Sequence, residues 1–264
     1  MIIIAENFNS SIPHVHQAMQ DRNTDLLRNR AKQIAAVGAD YLDINAGTFL
    51  EHEAEMLQYL VEAAEGSGLP YVIDSPDPDI ISFMLNKLQR KKQLINSITL
   101  ETERFNKLAP IASEYDASLI ALLMDGGNIP EGVQQRLDIA DQIISKLREQ
   151  GINDERILLD PMIKPLATDC NAGQQALDTI YQLRKKYPQV HITCGLSNIS
   201  FGLPSRKYLN RAFLLQAMAM GLDSAIMNPL DQELLSLCHA GISLAGNDEY
   251  CMEYLEYFRP ENEE

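Results

Sequence analysis

Short apolar runs alternate with longer segments of helical periodicity along nearly the whole chain. The short runs are typical of buried strands, and the longer segments carry apolar residues at intervals of three and four positions, as amphipathic helices do. The pattern predicts eight strands, at 2–5, 41–45, 71–73, 94–95, 118–123, 157–159, 191–193 and 224–227. It predicts helices between them at 26–37, 53–64, 79–88, 103–115, 133–150, 174–187 and 211–220, with a closing helix after the last strand.

This strict alternation predicts an α/β fold with parallel strands. Eight strand–helix units in about 250 residues are typical of a closed (β/α)8 barrel, the TIM barrel. A doubly wound open sheet is the alternative, but no G-x-G-x-x-G follows the first strand and the chain has no P-loop. Because no linker or break in composition interrupts the pattern, we expect residues 1–264 to form a single domain.

The composition excludes several classes of partner. The chain has 264 residues, of which 37 are Asp or Glu and 22 are Lys or Arg, giving a net charge of -15 that would repel nucleic acid and anionic membranes. No run approaches the roughly 20 apolar residues that span a bilayer, and no secretion signal is recognisable. The expected location is therefore the cytoplasm.

Metal and disulfide chemistry are not indicated. The four cysteines form no C-x-x-C pair and have no histidine at zinc-ligand spacing. We therefore expect neither a disulfide framework nor a protein-bound metal.

Polar side chains follow the predicted strands at the point where each strand ends. In a barrel, these ends meet on the face where active sites form. The residues are Glu6, Asn7, Asn9, Asp43, Asn45, Asp74, Asn96, Asp125, Asp160, Asn198 and Asn228. Taken singly, several of them could be helix caps, because Asp74 and Asp160 stand close before prolines. Together they form a ring of carboxylates and carboxamides that suits a ligand rich in N–H donors, such as a pterin or guanine-like ring.

Short segments in a fixed order carry a resemblance to a known family. They are YLDIN at 41–45, DS at 74–75, INS at 95–97, DP at 160–161, GLSNIS at 195–200 with Arg206, GLDSAIM at 221–227, and YCxxYL at 250–255 with Phe258 and Arg259. The chain resembles, from Ile3 to Arg259, the methyltransferases that pass a methyl group between N5 of tetrahydrofolate and the cobalt of a corrinoid protein. The resemblance implies a barrel of the pterin-binding type.

The resemblance also implies roles for individual residues. Asp74, Asn96 and Asp160 would hold the pterin ring, while Gly195 and Ser197 would line the pocket. Two further residues are implied as catalytic. Asn198 would donate a hydrogen bond to N5, and Asp160 would belong to the network that handles the N5 proton.

The rim of the implied site departs from the family pattern in places. Arg206 would lie towards the glutamate tail of the folate or the rim. Glu6 and Asn9 match part of the family's opening G-E-R-x-N motif, although this chain has Ala and Asn in place of its Gly and Arg. Phe201 stands where some relatives have Gln.

The expected substrates are tetrahydrofolate and 5-methyltetrahydrofolate, together with a corrinoid carried by a separate partner protein. A homodimer is implied by the resemblance alone. The identity of the corrinoid partner and the physiological direction of transfer stay open.

Two alternative functions stay open. Dihydropteroate synthases have a similar barrel and pterin pocket, and Ser205-Arg206-Lys207 resembles their signature near the seventh strand, whereas the intact Gly-Leu-Ser-Asn stretch argues against them. The other alternative is a non-catalytic component that binds folate or a corrinoid protein. Methionine synthesis by this chain alone is disfavoured, because nothing in it resembles a zinc–thiolate site.

Overall fold

Eight strands alternate with helices in the computed structural model, which describes residues 1–89, 92–124 and 127–259. Asp125, one of the predicted polar strand ends, lies outside these described residues. The strands are β1 (Ile2–Asn9), β2 (Tyr41–Asn45), β3 (Tyr71–Asp74), β4 (Leu94–Ile98), β5 (Ser118–Leu122), β6 (Ile157–Asp160), β7 (His191–Ile192) and β8 (Ser224–Met227). Each overlaps a run that the sequence pattern predicts.

Ten α-helices lie in the same described part of the chain. They are α1 (Pro13–Gln20), α2 (Thr24–Ala36), α3 (Glu53–Ala64), α4 (Pro78–Leu88), α5 (Thr102–Glu114), α6 (Val133–Glu149), α7 (Ala172–Lys186), α8 (Arg206–Met220), α9 (Gln232–Leu244) and α10 (Met252–Phe258). The pattern did not predict α1, whose eight residues are too few to establish a period. Helix α8 begins five residues before the predicted 211–220, at Arg206 and Lys207, two charged residues that carry no apolar signal.

All neighbouring strands pair in parallel, in the order β7-β6-β5-β4-β3-β2-β1-β8. The two ends of this order meet at a parallel bridge between Gly195 and Ile226, where the Ile226 N–H donates to the Cys194 carbonyl at 2.9 Å. This bridge closes the sheet. The predicted TIM barrel is confirmed.

Alternate residues of each strand face the inside of the barrel. Ile4, Val72, Leu94, Ile120 and Leu158 form a buried apolar cluster there, separate from the larger core between strands and helices. Because side chains alternate along a strand, the residue two positions later also faces inward, one layer nearer the carboxyl end. Those inward residues are Glu6, Asp74, Asn96, Leu122 and Asp160. The barrel is therefore apolar at its centre and polar at the mouth.

A bulge in β1 changes what that strand delivers to the mouth. Ala5 pairs with Leu42 and Phe8 pairs with Ile44, so β1 has one more residue than β2 between these two pairs. Ala5 and Phe8 both pack in the outer core. The two residues between them, Glu6 and Asn7, are polar.

The described residues offer neither a disulfide nor a recognisable metal centre. Cys194 and Cys238 are buried, Cys170 and Cys251 are exposed, and all four are free thiols. In the described part of the chain, no group of three or more His, Cys, Asp or Glu side chains is arranged to hold a metal ion. No helix there is long and apolar enough to cross a membrane.

Candidate active site

A row of polar side chains crosses three adjacent strands at the carboxyl end of the barrel. Asn45 on β2, Asp74 on β3 and Asn96 on β4 are register partners. A cavity of about 370 Å³ opens beside them, with Asp74 and Asn96 on its polar wall and Leu122 and Met124 among its apolar lining. A cavity of this size, lined by several polar groups and a few apolar ones, offers hydrogen bonds and apolar contact to a flat heteroaromatic ligand.

Asp74 is held in place by Asn45. The Asn45 Nδ2 group donates to Asp74 Oδ2 at 2.8 Å, and Asn45 Oδ1 accepts from the Gly47 N–H at 3.1 Å, which fixes the orientation of the amide. Burial raises the pKa of Asp74 to about 6, against the lowering effects of the Asn45 hydrogen bond and of Arg104. Asp74 Oδ1 accepts no hydrogen bond from any described residue, so it stays available to a ligand.

Asp160 lies on β6, two strands beyond Asn96. It is 8% exposed, and burial raises its pKa to about 6, while the Met162 N–H donates to its Oδ1 at 2.8 Å and partly offsets that effect. Two carboxyl groups at the mouth therefore remain mainly ionised at pH 7 and gain protons just below it. As carboxylates they accept hydrogen bonds and donate none.

Arg104, on the first turn of α5, is a site residue that sequence reasoning missed. Its guanidinium donates to the carbonyls of Ser97 (2.7 Å), Ser75 (3.0 Å) and Pro76. Ser75 and Pro76 directly follow β3 and Ser97 lies near the end of β4, so Arg104 ties the two strand ends together. Nothing local in the sequence signals this contact, because the partners lie up to 29 residues away.

The segment after β7 folds into a tight 3-10 turn over Leu196–Ser200. The Asn198 N–H donates to the Gly195 carbonyl at 3.1 Å, and the Asn198 side chain folds back over Gly195. A Cβ at Gly195 would lie 3.0 Å from Asn198 Nδ2, closer than such contacts normally are. Glycine at this position therefore leaves room for the Asn198 amide.

Helix α8 braces this turn. Arg206 donates from Nη2 to the Ser197 carbonyl at 2.7 Å and from Nε to Ser200 Oγ at 3.0 Å. Asn210, another residue that the sequence did not single out, accepts from Ser200 Oγ at 2.6 Å and donates to Ser197 Oγ at 3.4 Å. The place of Arg206 at the rim near a ligand tail stays a prediction, and its described hydrogen bonds support the turn.

The opening residues of the predicted site have different surroundings. Burial raises the pKa of Glu6, while Arg206 and the Ser197 hydroxyl act in the opposite direction, which places Glu6 near the turn after β7. Asn9 pairs in register with Asn45, but its side chain accepts from the Ser11 N–H at 2.8 Å and so stabilises a local turn. Glu6 thus belongs to the mouth, whereas the described hydrogen bond of Asn9 is local.

Comparison with known proteins agrees with this geometry. Residues 10–228 match the model of a family described as pterin binding enzyme. The chain belongs to the pterin-binding enzymes. It is 35% identical over 262 residues, 98% of this chain and 96% of the relative, to a methylcorrinoid:tetrahydrofolate methyltransferase of Eubacterium limosum. The resemblance to the folate–corrinoid methyltransferases is confirmed.

Two more relatives of this pterin-binding enzyme are much longer proteins. Methionine synthase of Mycobacterium tuberculosis (strain ATCC 25618 / H37Rv) is 32% identical over 187 residues, 66% of this chain and 16% of the relative. Methionine synthase of Mycobacterium leprae (strain TN) is 33% identical over 187 residues, 66% of this chain and 15% of the relative. The shared part is therefore a small portion of each synthase.

A larger depression, of about 1040 Å³, lies at the opposite end of this pterin-binding barrel, where the strands begin. The polar groups there already pair with one another, since Arg184 and His191 each lie 2.8 Å from an Asp223 carboxylate oxygen. Active sites of TIM barrels form at the carboxyl ends of the strands. We therefore assign the chemistry to the smaller cavity.

Proposed function

We propose that this pterin-binding enzyme moves a methyl group between N5 of tetrahydrofolate and the cobalt of a corrinoid carried by a separate protein. One observation carries the proposal, namely the match over 98% of the chain to a methylcorrinoid:tetrahydrofolate methyltransferase. The polar mouth supports it, because its groups suit a pterin ring. Both alternatives lose ground, since the matching relative is a methyltransferase by name rather than a synthase of dihydropteroate or a binding component.

The pterin ring lies, in this proposal, against Asp74, Asn96 and Asp160. The two carboxylates accept hydrogen bonds from the 2-amino group and the ring N–H, and Asn96 both donates and accepts. The pKa of about 6 for each carboxyl makes this arrangement available at neutral pH. Asn45 and Arg104 hold the strand ends around the ring, while Glu6 and Asn9 belong to its rim.

Asn198 acts on N5. An amine anion is a very poor leaving group, so N5 needs a hydrogen bond as its methyl departs, and a donor placed where charge develops stabilises the transition state. The Asn198 amide donates that bond but cannot give up a proton. The proton reaches N5 through water and the network that includes Asp160, and in the reverse direction it leaves by the same route.

The Asn198 side chain is positioned by Gly195, Ser197 and Arg206. Gly195 leaves space for the amide, and the Ser197 backbone is held by Arg206. Co(I) is a strong nucleophile, so the chain needs to position the two substrates rather than to activate the cobalt. Tetrahydrofolate and 5-methyltetrahydrofolate are the substrates, and no metal held by this chain takes part.

The wider organisation is proposed on the same basis. Residues 1–264 form one pterin-binding domain. The protein is a homodimer in the cytoplasm and takes part in one-carbon metabolism. The full-length match to the methyltransferase supports the single domain. Sedimentation of the purified chain measures the oligomeric state directly.

A visible spectrum tests the activity. Methylcob(III)alamin and tetrahydrofolate are mixed with catalytic amounts of the protein under strict anoxia, and we expect the methyl–cobalt band to fall while the Co(I) band grows. If free cobalamin does not react, purified corrinoid proteins replace it. Measurable folate binding with no transfer to or from any of them would support the non-catalytic alternative and overturn the proposal.

A further inference from the structure

Asp43 is a carboxyl group buried in the apolar layer of the barrel. It lies on β2 between Leu42 and Ile44, which pack in the outer core, so its side chain faces inward. Its register partner is Val72, which in turn pairs with Leu94, and both belong to the inner apolar cluster. Asp43 therefore lies one layer below the row that contains Asp74.

The Asp43 side chain has no partner in the described structure that would compensate a charge. It is 2% exposed, and its Oδ1 has no hydrogen-bond partner among residues 1–89, 92–124 and 127–259. A buried carboxylate without a cation or a hydrogen-bond donor is strongly unfavourable. Its neutral form avoids that penalty and has an O–H group to donate.

The charged groups around Asp43 are mainly acidic. Glu6 faces it from the β1 bulge and Asp74 from β3, Glu53 acts on Asp74 from α3, Asp160 is on β6, and Tyr41 precedes it on its own strand. The cations that act on its acidic neighbours are engaged elsewhere. Arg104, which acts on Asp74, donates to three backbone carbonyls, and Arg206, which acts on Glu6, donates to the turn after β7. Neither forms an ion pair with Asp43 in the described structure.

Asp74 is the neighbour that could accept a hydrogen bond from the protonated Asp43 carboxyl group. Its Oδ2 already accepts from Asn45, whereas its Oδ1 accepts nothing from the described residues. The pKa of Asp43 is raised well above the usual range, first by burial, then by the charge of Asp74, and then by that of Glu6. These effects agree with a proton kept on the lower of the two carboxyl groups.

Resting on the proposed function, we propose that Asp43 is a positioning residue that stays protonated at neutral pH and donates a hydrogen bond to Asp74. The bond keeps Asp74 ionised and oriented, with its charge available to the pterin donors. Asp43 itself does not contact the substrate. The proton lies between two acids at different depths and is not consumed by the reaction.

Difference infrared spectroscopy of the free protein tests the proton directly. We expect the protonated-carboxyl stretching region at pH 7 to lose one band in the Asp43→Asn variant and to keep it in the Asp160→Asn variant. No loss in Asp43→Asn would overturn the inference. Neither measurement needs folate or a corrinoid, so such a failure leaves the proposed methyl transfer untouched.

Thermal unfolding gives a second readout. In the unfolded chain Asp43 ionises near its ordinary pKa of about 4, while the folded chain keeps the proton. The folded state therefore binds one more proton at this site, and the contribution of Asp43 to wild-type stability falls as pH rises above about 4. Because Asn does not titrate, the Tm of Asp43→Asn relative to wild type should rise between pH 4 and pH 7, and a constant difference would contradict the inference.

Folate binding distinguishes positioning from space filling. Asp43→Asn keeps a donor of the same shape, whereas Asp43→Leu fills the space without one. We expect the folate Kd to rise about tenfold in Asp43→Leu, the loss of about one hydrogen bond to a charged group, and to be largely rescued in Asp43→Asn. Equal Kd values for both folded variants would overturn the role in binding.

Discussion

At the scale of single residues, the site combines acceptors that sequence order reveals with contacts that it does not. Asp74 and Asp160 were predictable, because each ends an apolar run and alternation fixes which way the last side chain faces. The bond from Asn45 to Asp74 was not, since it joins residues 29 positions apart. Individual side chains at strand ends are thus readable from the sequence, but their pairing is not.

The carboxyl groups at the mouth are expected to make folate binding depend on pH. Burial raises the pKa of Asp74 and of Asp160 to about 6, and the proposed hydrogen bonds from the pterin need both groups ionised. We expect tetrahydrofolate affinity to be steady above about pH 7 and to fall below pH 6, approaching tenfold per pH unit for each carboxylate that must lose its proton. Fluorescence titrations from pH 5 to pH 8 measure this.

The Asp160→Asn variant is the matched control for that pH dependence. It retains the shape of the side chain and removes one titrating group, so its affinity should be weaker at pH 7 and should change less steeply below pH 6. An affinity of the wild type that is constant from pH 5 to pH 7 would argue against pterin binding by these carboxylates.

The Asn198 amide is expected to contribute to rate more than to binding. Removing a hydrogen-bond donor that acts where charge develops lowers kcat by about 100-fold or more. We expect Asn198→Ala to show a loss of that order in anaerobic stopped-flow transfer, with folate Kd changed less than about threefold. A wild-type rate in a variant that still binds folate would eliminate Asn198 as the donor to N5.

At the scale of elements, the loops after the strands are set by residues on the following helices. Arg104 on α5 fixes the ends of β3 and β4, and Arg206 and Asn210 on α8 fix the turn after β7. Period and capping predict most helices, yet α8 begins five residues before its predicted start, because its first two residues, Arg206 and Lys207, are charged. The elements that support the site were therefore harder to predict than the strands that carry it.

Arg104 should affect stability and folate binding together. Its partly buried guanidinium donates to three carbonyls, and Arg104→Met leaves these acceptors without their donor. We expect a loss of about 1–3 kcal/mol in the free energy of unfolding and weaker folate binding, measured by urea unfolding and titration.

Arg28 provides the comparison for that variant, because it forms an exposed ion pair with Asp25 on α2. Arg28→Met should change the free energy of unfolding by less than about 0.5 kcal/mol and leave folate affinity as it was. Equal effects of the two substitutions would show that Arg104 is not a clamp on the strand ends.

At the scale of the whole molecule, the apolar centre of the barrel supports the polar mouth above it. Leu158 lies in the inner cluster two residues before Asp160 on the same strand. We expect Leu158→Ala to lower the free energy of unfolding by about 2–5 kcal/mol, the usual result of deleting a buried leucine side chain. Leu244, which is 86% exposed at the end of α9, is the control, and Leu244→Ala should be nearly neutral.

The apolar centre also decides how the two substrates meet. In the described structure, the barrel centre is filled by Ile4, Val72, Leu94, Ile120 and Leu158, and the cavity proposed for folate lies at the carboxyl end of the strands above them. In the proposed reaction, folate lies at the base of this cavity and the corrinoid protein has to reach N5 through the cavity opening. Both substrates would therefore use the same opening. For the proposed methyl transfer we therefore expect folate to bind before the corrinoid protein docks, and to leave after it dissociates.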